Sequence, residues 1–87
     1  MEESALLEDL TLLLLYAHSW RERVGESFYV ARSWKGYDLD VLDRLSEKGY
    51  IAGSHRAKSV ILTEDGLKRG EELKRKLLSN ASLLRLQ

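Results

Sequence analysis

Two bases in a stretch without acids are the residues of this chain best suited to chemistry with another molecule. Arg56 and Lys58 stand between Gly49 and Thr63, where no aspartate or glutamate occurs, and His55, Ser54 and Ser59 add hydrogen-bond donors. Such side chains neutralise phosphates and hold a nucleic-acid backbone without reading the bases. Arg32, Ser33 and Lys35, earlier in the chain, offer the same chemistry. The opposite chemistry lies between the two groups. From Asp38 to Lys48 four acids stand against two bases, and Asp40, Asp43 and Glu47 make that segment negative. A negative segment is repelled by a duplex, whose axis carries one charge per about 1.7 Å, and it suits a basic protein surface instead. Catalysis has little to work with. His18 and His55 are far apart, no acid–histidine spacing suits a metal, and no glycine-rich phosphate loop is present, so no enzymatic activity, cofactor or metal is expected.

The bulk properties narrow the setting. Eighty-seven residues make a single domain over 1–87, short enough that a partner copy would add needed burial. There is no cysteine, so neither disulfides nor thiolate metal sites contribute. Net charge is zero and the sequence pI is about 6.7, so nucleic-acid binding has to come from a local patch. The start, Met1-Glu2-Glu3-Ser4, is acidic where a secretory signal is basic. The longest wholly apolar run, Leu12 to Ala17, has six residues, against about 20 for a membrane span. A cytoplasmic protein without membrane contact is the expectation.

The elements that would position these residues follow from periodicity. A first helix is expected from about Ser4 to Trp20, with Leu6, Leu10, Leu13, Ala17 and Trp20 on one face. Leu12, Leu15 and Tyr16 lie outside that face, and a helix apolar on more than one side is buried on more than one side. With Leu77, Leu84 and Leu86 near the other end, these residues predict a homodimer built from the first and last helices. Arg21 to Glu26 reads as a charged connection. Phe28, Ala31 and Trp34, three apart, favour a short second helix over a strand at Phe28-Tyr29-Val30. Lys35-Gly36-Tyr37 is then a helix-turn-helix turn. Asp38 caps a third helix with Leu39, Leu42 and Leu45 inward and Val41 beside them, and Gly49 ends it. Tyr50–Gly53 and Ser59–Leu62 read as a two-stranded hairpin whose tip is Ser54–Lys58. Thr63 caps a last helix carrying Leu67, Leu73 and Leu77. Trp20, Phe28 and Trp34 are expected in the core, the less favoured reading being a ligand cage or stacking platform. Tyr29 and Tyr37 suit half-exposed sites.

Leu42-Asp43-Arg44-Leu45-Ser46-Glu47-Lys48-Gly49-Tyr50-Ile51, followed by the hairpin and by Leu62-Thr63-Glu64-Asp65-Gly66, resembles the MarR-like and PadR-like winged-helix regulators. The whole chain also resembles a small bacterial and archaeal family of domains of unknown function, through Ser33-Trp34-Lys35-Gly36-Tyr37-Asp38-Leu39-Asp40-Val41-Leu42-Asp43 and Arg56-Ala57-Lys58-Ser59. The first resemblance implies a mainly α (α+β) winged helix-turn-helix, with a two-stranded wing and flanking N- and C-terminal helices. With the basic residues read above, the expectation is a DNA-binding, regulator-like dimer holding duplex DNA through Arg32, Lys35, His55, Arg56 and Lys58. The alternative is a protein-interaction module that uses Asp40, Asp43 and Glu47 and binds no DNA. The chain departs from typical regulators in its short wing and acidic third helix.

Overall fold

The computed structural model describes residues 3–53 and 56–84, with side chains through Ser79. The element order is α1 (Glu3–Ala17), β1 (Trp20–Val24), β2 (Phe28–Trp34), α2 (Leu39–Glu47), β3 (Ile51–Ala52), β4 (Ser59–Leu62) and α3 (Glu64–Leu84). The strands form a four-stranded antiparallel sheet in the order β1-β2-β4-β3. The fold is therefore a small α+β arrangement of three helices and one sheet.

The second half forms as its local signals dictate. Asp38 accepts hydrogen bonds from the backbone N–H groups of Asp40 (2.8 Å) and Val41 (3.3 Å), satisfying donors that a helix start leaves open. At the other end of α2, Gly49 takes φ 80°, its N–H meets Ser46 O, and the Tyr50 N–H reaches back to Leu45 O. That is the paired bonding by which a left-handed glycine closes a helix. The Thr63 hydroxyl donates to Gly49 O at 2.5 Å and accepts from the Gly66 N–H at 3.0 Å, so one residue caps α3 and ties it to the end of α2. The glycine in Thr63-Glu64-Asp65-Gly66 has its own steric cause. A Cβ at Gly66 would run into the backbone of Tyr50.

Before α2 the structure corrects the sequence-based expectation. Arg21 to Glu26 is not a connection, and Phe28–Trp34 is not a helix. The two segments are β1 and β2 of a hairpin in register Trp20↔Arg32, Glu22↔Val30 and Val24↔Phe28, turning at Gly25 with φ 77°. No pair of consecutive helices precedes the hairpin of β3 and β4. The reason lies in composition and period. Phe, Tyr, Val and Trp fit a pleated surface better than a helix interior. The three-residue spacing of Phe28, Ala31 and Trp34 is also misleading, because Phe28 and Trp34, six apart, share a strand face while Ala31 takes the other.

The core consists of Leu12, Leu15, Val41, Leu42, Leu45, Ile51, Val60 and Leu62, with Ala31, Tyr37, Tyr50, Leu67 and Leu73 packed against it. This reverses the expected orientation of α1. The helix stops at Ala17 and buries Glu8, Thr11, Leu12 and Leu15, leaving Leu6, Leu7, Leu10 and Leu14 exposed. Leu12 and Leu15, expected at a dimer interface, are 1% and 0% exposed and covered by their own chain. Tyr16 lies against Gly70 of α3, and its hydroxyl donates to Glu71. That carboxylate pushes the Tyr16 phenol up, and the Tyr16 hydrogen bond, with Arg75, holds the Glu71 carboxyl down. Leu77 is exposed, and the Leu84 side chain lies outside the described residues.

Candidate nucleic-acid interface

Alternation along the strands sorts the sheet into two faces. Ala31, Val60, Leu62 and Ile51 point to the core, as does Ser33, which is buried. The opposite face carries Trp20, Glu22 and Val24 from β1, Phe28, Val30, Arg32 and Trp34 from β2, Ser59 and Ile61 from β4, and Ala52 from β3. No helix covers it. Phe28 is 74% exposed and Trp34 63%, so these two aromatics are not the core residues their type suggested. Trp20 is half-buried and stands beside Trp34, with ring centroids 4.9 Å apart and planes tilted by 43°. On the other side of the ribbon, the Arg21 guanidinium sits 4.6 Å from the Tyr29 ring centroid.

Among the described residues, one of the expected phosphate-binding residues lies on this face. Arg32 lies in its middle, where its Nε donates to Glu22 at 2.7 Å and its guanidinium to Ser59 Oγ at 3.0 Å. Trp34 pairs with Ser59, and the next residue continues the ladder, since the Lys35 N–H donates to Lys58 O at 3.0 Å. Lys35 and Lys58 thus form the next pair after Trp34 and Ser59, so alternation turns them to the α2 side of the sheet, where Lys35 lines a groove with Asp43, and Arg56 is exposed on the turn leading into this end. His55 lies outside the described residues.

Charge follows the same division. The sheet segments, 20–35 and 50–63, hold six bases and two acids, while the rest of the chain holds eight bases and twelve acids. Zero net charge thus conceals a positive sheet and negative helices. On α2 the division is sharpened by Glu8, which is 5% exposed and receives Arg44 Nε at 2.9 Å and the Lys48 ammonium. The Lys48 ammonium, with help from Arg44, holds the Glu8 carboxyl below its usual range against the upward push of burial. Glu8 in turn raises Lys48. Both bases of α2 are thereby directed to α1, and Asp40, Asp43 and Glu47 remain exposed. A groove between α2 and the β3–β4 hairpin, lined by Leu39, Leu42, Ile51 and Val60 with Lys35 and Asp43 at its edge, holds about 50 Å³. Small-molecule sites need about 300–1,000 Å³.

Residues 3–80 match the family described as Domain of unknown function (DUF6429). The chain belongs to that family. A relative of similar length, the "Uncharacterized protein y4hR" of Sinorhizobium fredii (strain NBRC 101917 / NGR234), is 38% identical over 74 residues, covering 84% of this chain and 89% of the relative. No solved structure matches. Among the described residues of this DUF6429 chain, no helix is long and apolar enough to cross a membrane.

What the sequence reading missed is the exposure of Phe28 and Trp34, which it expected in the core. Their signal was present as the alternation Phe28, Val30, Arg32, Trp34, matched across the turn by Trp20, Glu22, Val24.

Proposed function

We propose that this DUF6429 protein binds nucleic acid through one end of its sheet, gripping the phosphate backbone of DNA with Lys35, Arg56 and Lys58. The observation that carries this reading is the end of the sheet at which the Lys35–Lys58 backbone hydrogen bond sets two bases next to the turn that bears Arg56. Arg32 contributes less charge than its type suggests, because Glu22 meets it. The order α2–β3–β4–α3 suits the helix–wing–helix half of a winged helix in which the β1–β2 hairpin takes the place of the preceding helix. A regulator-like role follows from that likeness, with contacts that position the chain on DNA without selecting a sequence.

Three phosphate contacts give a log–log salt slope of about −2 to −3. Titration against random-sequence DNA at about 50 and 200 mM salt tests the reading where screening changes most. Absence of affinity at the lower salt contradicts it. That outcome favours the second reading, a module binding a basic protein surface through Asp40, Asp43 and Glu47, which the withdrawal of Arg44 and Lys48 to Glu8 supports.

Assembly follows the exposed leucines rather than the buried ones. Leu7, Leu10 and Leu14, with Leu6 beside them, recur at helical spacing on the outer side of α1. A stripe of that kind suits a second copy. Sedimentation should give two chains, and Leu10→Glu one.

A further inference from the structure

We propose that a second copy of this chain covers the leucine stripe of α1 with the far end of its α3, and receives the same contact in return. This rests on the second-copy reading of the stripe above and names the surface that meets it.

The first argument is a length of helix without cover. α3 runs from Glu64 to Leu84, 21 residues, or about 31 Å. Its first turns are held by the body of the chain. Gly66 lies against Tyr50, Gly70 against Tyr16, and Leu67 and Leu73 pack on the core. After Leu73 that support ends, and every side chain from Lys74 to Ser79 is exposed. Leu77 and Leu78 are 54% and 58% exposed there. Helices draw most of their stability from packing an apolar side, and a short stretch without such packing is marginal in water. Between Lys74 and Ser79 a single copy supplies none.

The second argument is pattern. Leu7, Leu10 and Leu14, with Leu6 beside them, are what α1 leaves open, and the end of α3 does not reach them within one chain, since both sets are exposed. The two segments are built alike. Glu3 is followed four residues later by Leu7, and Lys74 three and four residues later by Leu77 and Leu78. Such spacings keep the charge and the leucines on one side of a helix. The helix also runs seven residues past Leu77 to Leu84, the same span as Leu7 to Leu14.

Charge selects the occupant. α1 contains Glu3, Glu8 and Asp9 and no lysine or arginine, while α3 from Leu73 to Leu84 contains Lys74, Arg75 and Lys76 and no acid. Part of this charge is answered within the chain, Glu8 by Arg44 and Lys48, Asp9 by Arg69, and Lys74 and Arg75 by Glu71. Glu3 and Lys76 have no such partner among the described residues. An acidic leucine stripe and a basic leucine end on one chain complement each other between two copies, and a two-fold axis makes the contact twice. Bases precede the leucines of α3 and acids precede those of α1, so the two helices lie side by side in the same direction. A contact of α1 with α1 would leave the end of α3 bare. Six leucines from each copy, each about half open, bring the buried area to about 1,000 Å², where specific interfaces begin.

The chain has no cysteine, so single cysteines report contacts between copies. Across the micromolar range the full chain should sediment as two, and Leu77→Glu/Leu78→Glu as one, like Leu10→Glu. Leu7→Cys and Leu78→Cys chains, mixed and oxidised, should link mainly to each other rather than to themselves. Glu3→Lys and Lys76→Glu should each weaken pairing by about 2- to 30-fold, since two exposed ion pairs are lost per dimer. Combined in one chain, they should restore it. If Leu77→Glu/Leu78→Glu still pairs while Leu10→Glu does not, and Leu7→Cys links to itself, α1 meets α1. The inference is then overturned and the second-copy reading stands. A double charge reversal that pairs more weakly than either single one overturns it as well. If the native chain sediments singly throughout, both fall.

Discussion

Helix α2 and the sheet both carry bases, and the fold directs them oppositely. On α2, Arg44 and Lys48 turn toward Glu8, a buried acid of α1, so the exposed surface keeps Asp40, Asp43 and Glu47. On the sheet, Arg32 is met by Glu22, while the ladder sets Lys35 and Lys58 side by side at the rim. The difference teaches that the charge of an element is not the charge it presents. One buried carboxylate reverses what α2 offers a partner, and one backbone hydrogen bond concentrates what the sheet offers.

The largest expected effects test the frame on which both regions rest. Leu42→Ala on α2 and Leu62→Ala on β4 should each cost about 2–5 kcal/mol, the range for emptying a packed leucine site, because both are in the core. Phe28→Ala, on the uncovered face, should stay within about 0.5 kcal/mol. Thermal melts of the three variants check this, and equal losses at Leu62 and Phe28 would mean that the sheet's two faces are assigned the wrong way round.

A smaller effect belongs to Glu8. Removing it leaves two bases that are themselves part-exposed, so Glu8→Gln should cost about 1–3 kcal/mol, less than a fully buried pair. The sign with pH is set by a carboxyl held below its ordinary value of 4.5. Its stabilisation is complete above that value and is lost as pH falls through the lower folded value. Glu71, held down by Tyr16 and Arg75, acts in the same direction. Denaturation below about pH 4.5 should therefore become shallower in Glu8→Gln, without vanishing. An unchanged acid limb would contradict the account of α2.

The half of the chain beginning at α2 was legible because its signals are local and agree with one another. Asp38, Gly49 and Thr63 each act on backbone groups a few residues away. The hairpin of β1 and β2 was not, because Phe28, Ala31 and Trp34 satisfy a three-residue spacing as readily as the two-residue period they obey. The inner side of α1 was not legible either. With leucine at 6, 7, 10, 12, 13, 14 and 15, the pattern does not select a face. Glu8 does so through its tie to Arg44 and Lys48, a contact across 36 and 40 residues that periodicity does not register. The basic rim was legible as residue types. Its assembly was not, since Lys35 meets Lys58 only once β2 is a strand.

Neutralising α2 should produce the smallest change. Asp40→Asn, Asp43→Asn and Glu47→Gln together should raise nucleic-acid affinity, since Asp43 lines the same groove as Lys35 and lies within a Debye length of about 8–10 Å. A loss of affinity would show that α2 itself holds the ligand and would dissolve the contrast between the two regions.

The salt dependence of nucleic-acid binding, compared between the native chain and Lys35→Ala/Lys58→Ala, tests the central claim most directly. Each lost phosphate contact should flatten the log–log slope by about 0.7 for a single strand or 0.9 for a duplex. The double variant should therefore lose about 1.4–1.8 from the slope per chain and bind every sequence more weakly to the same degree. A native chain that binds with the same slope and affinity as the variant would contradict the claim that the sheet rim holds the backbone.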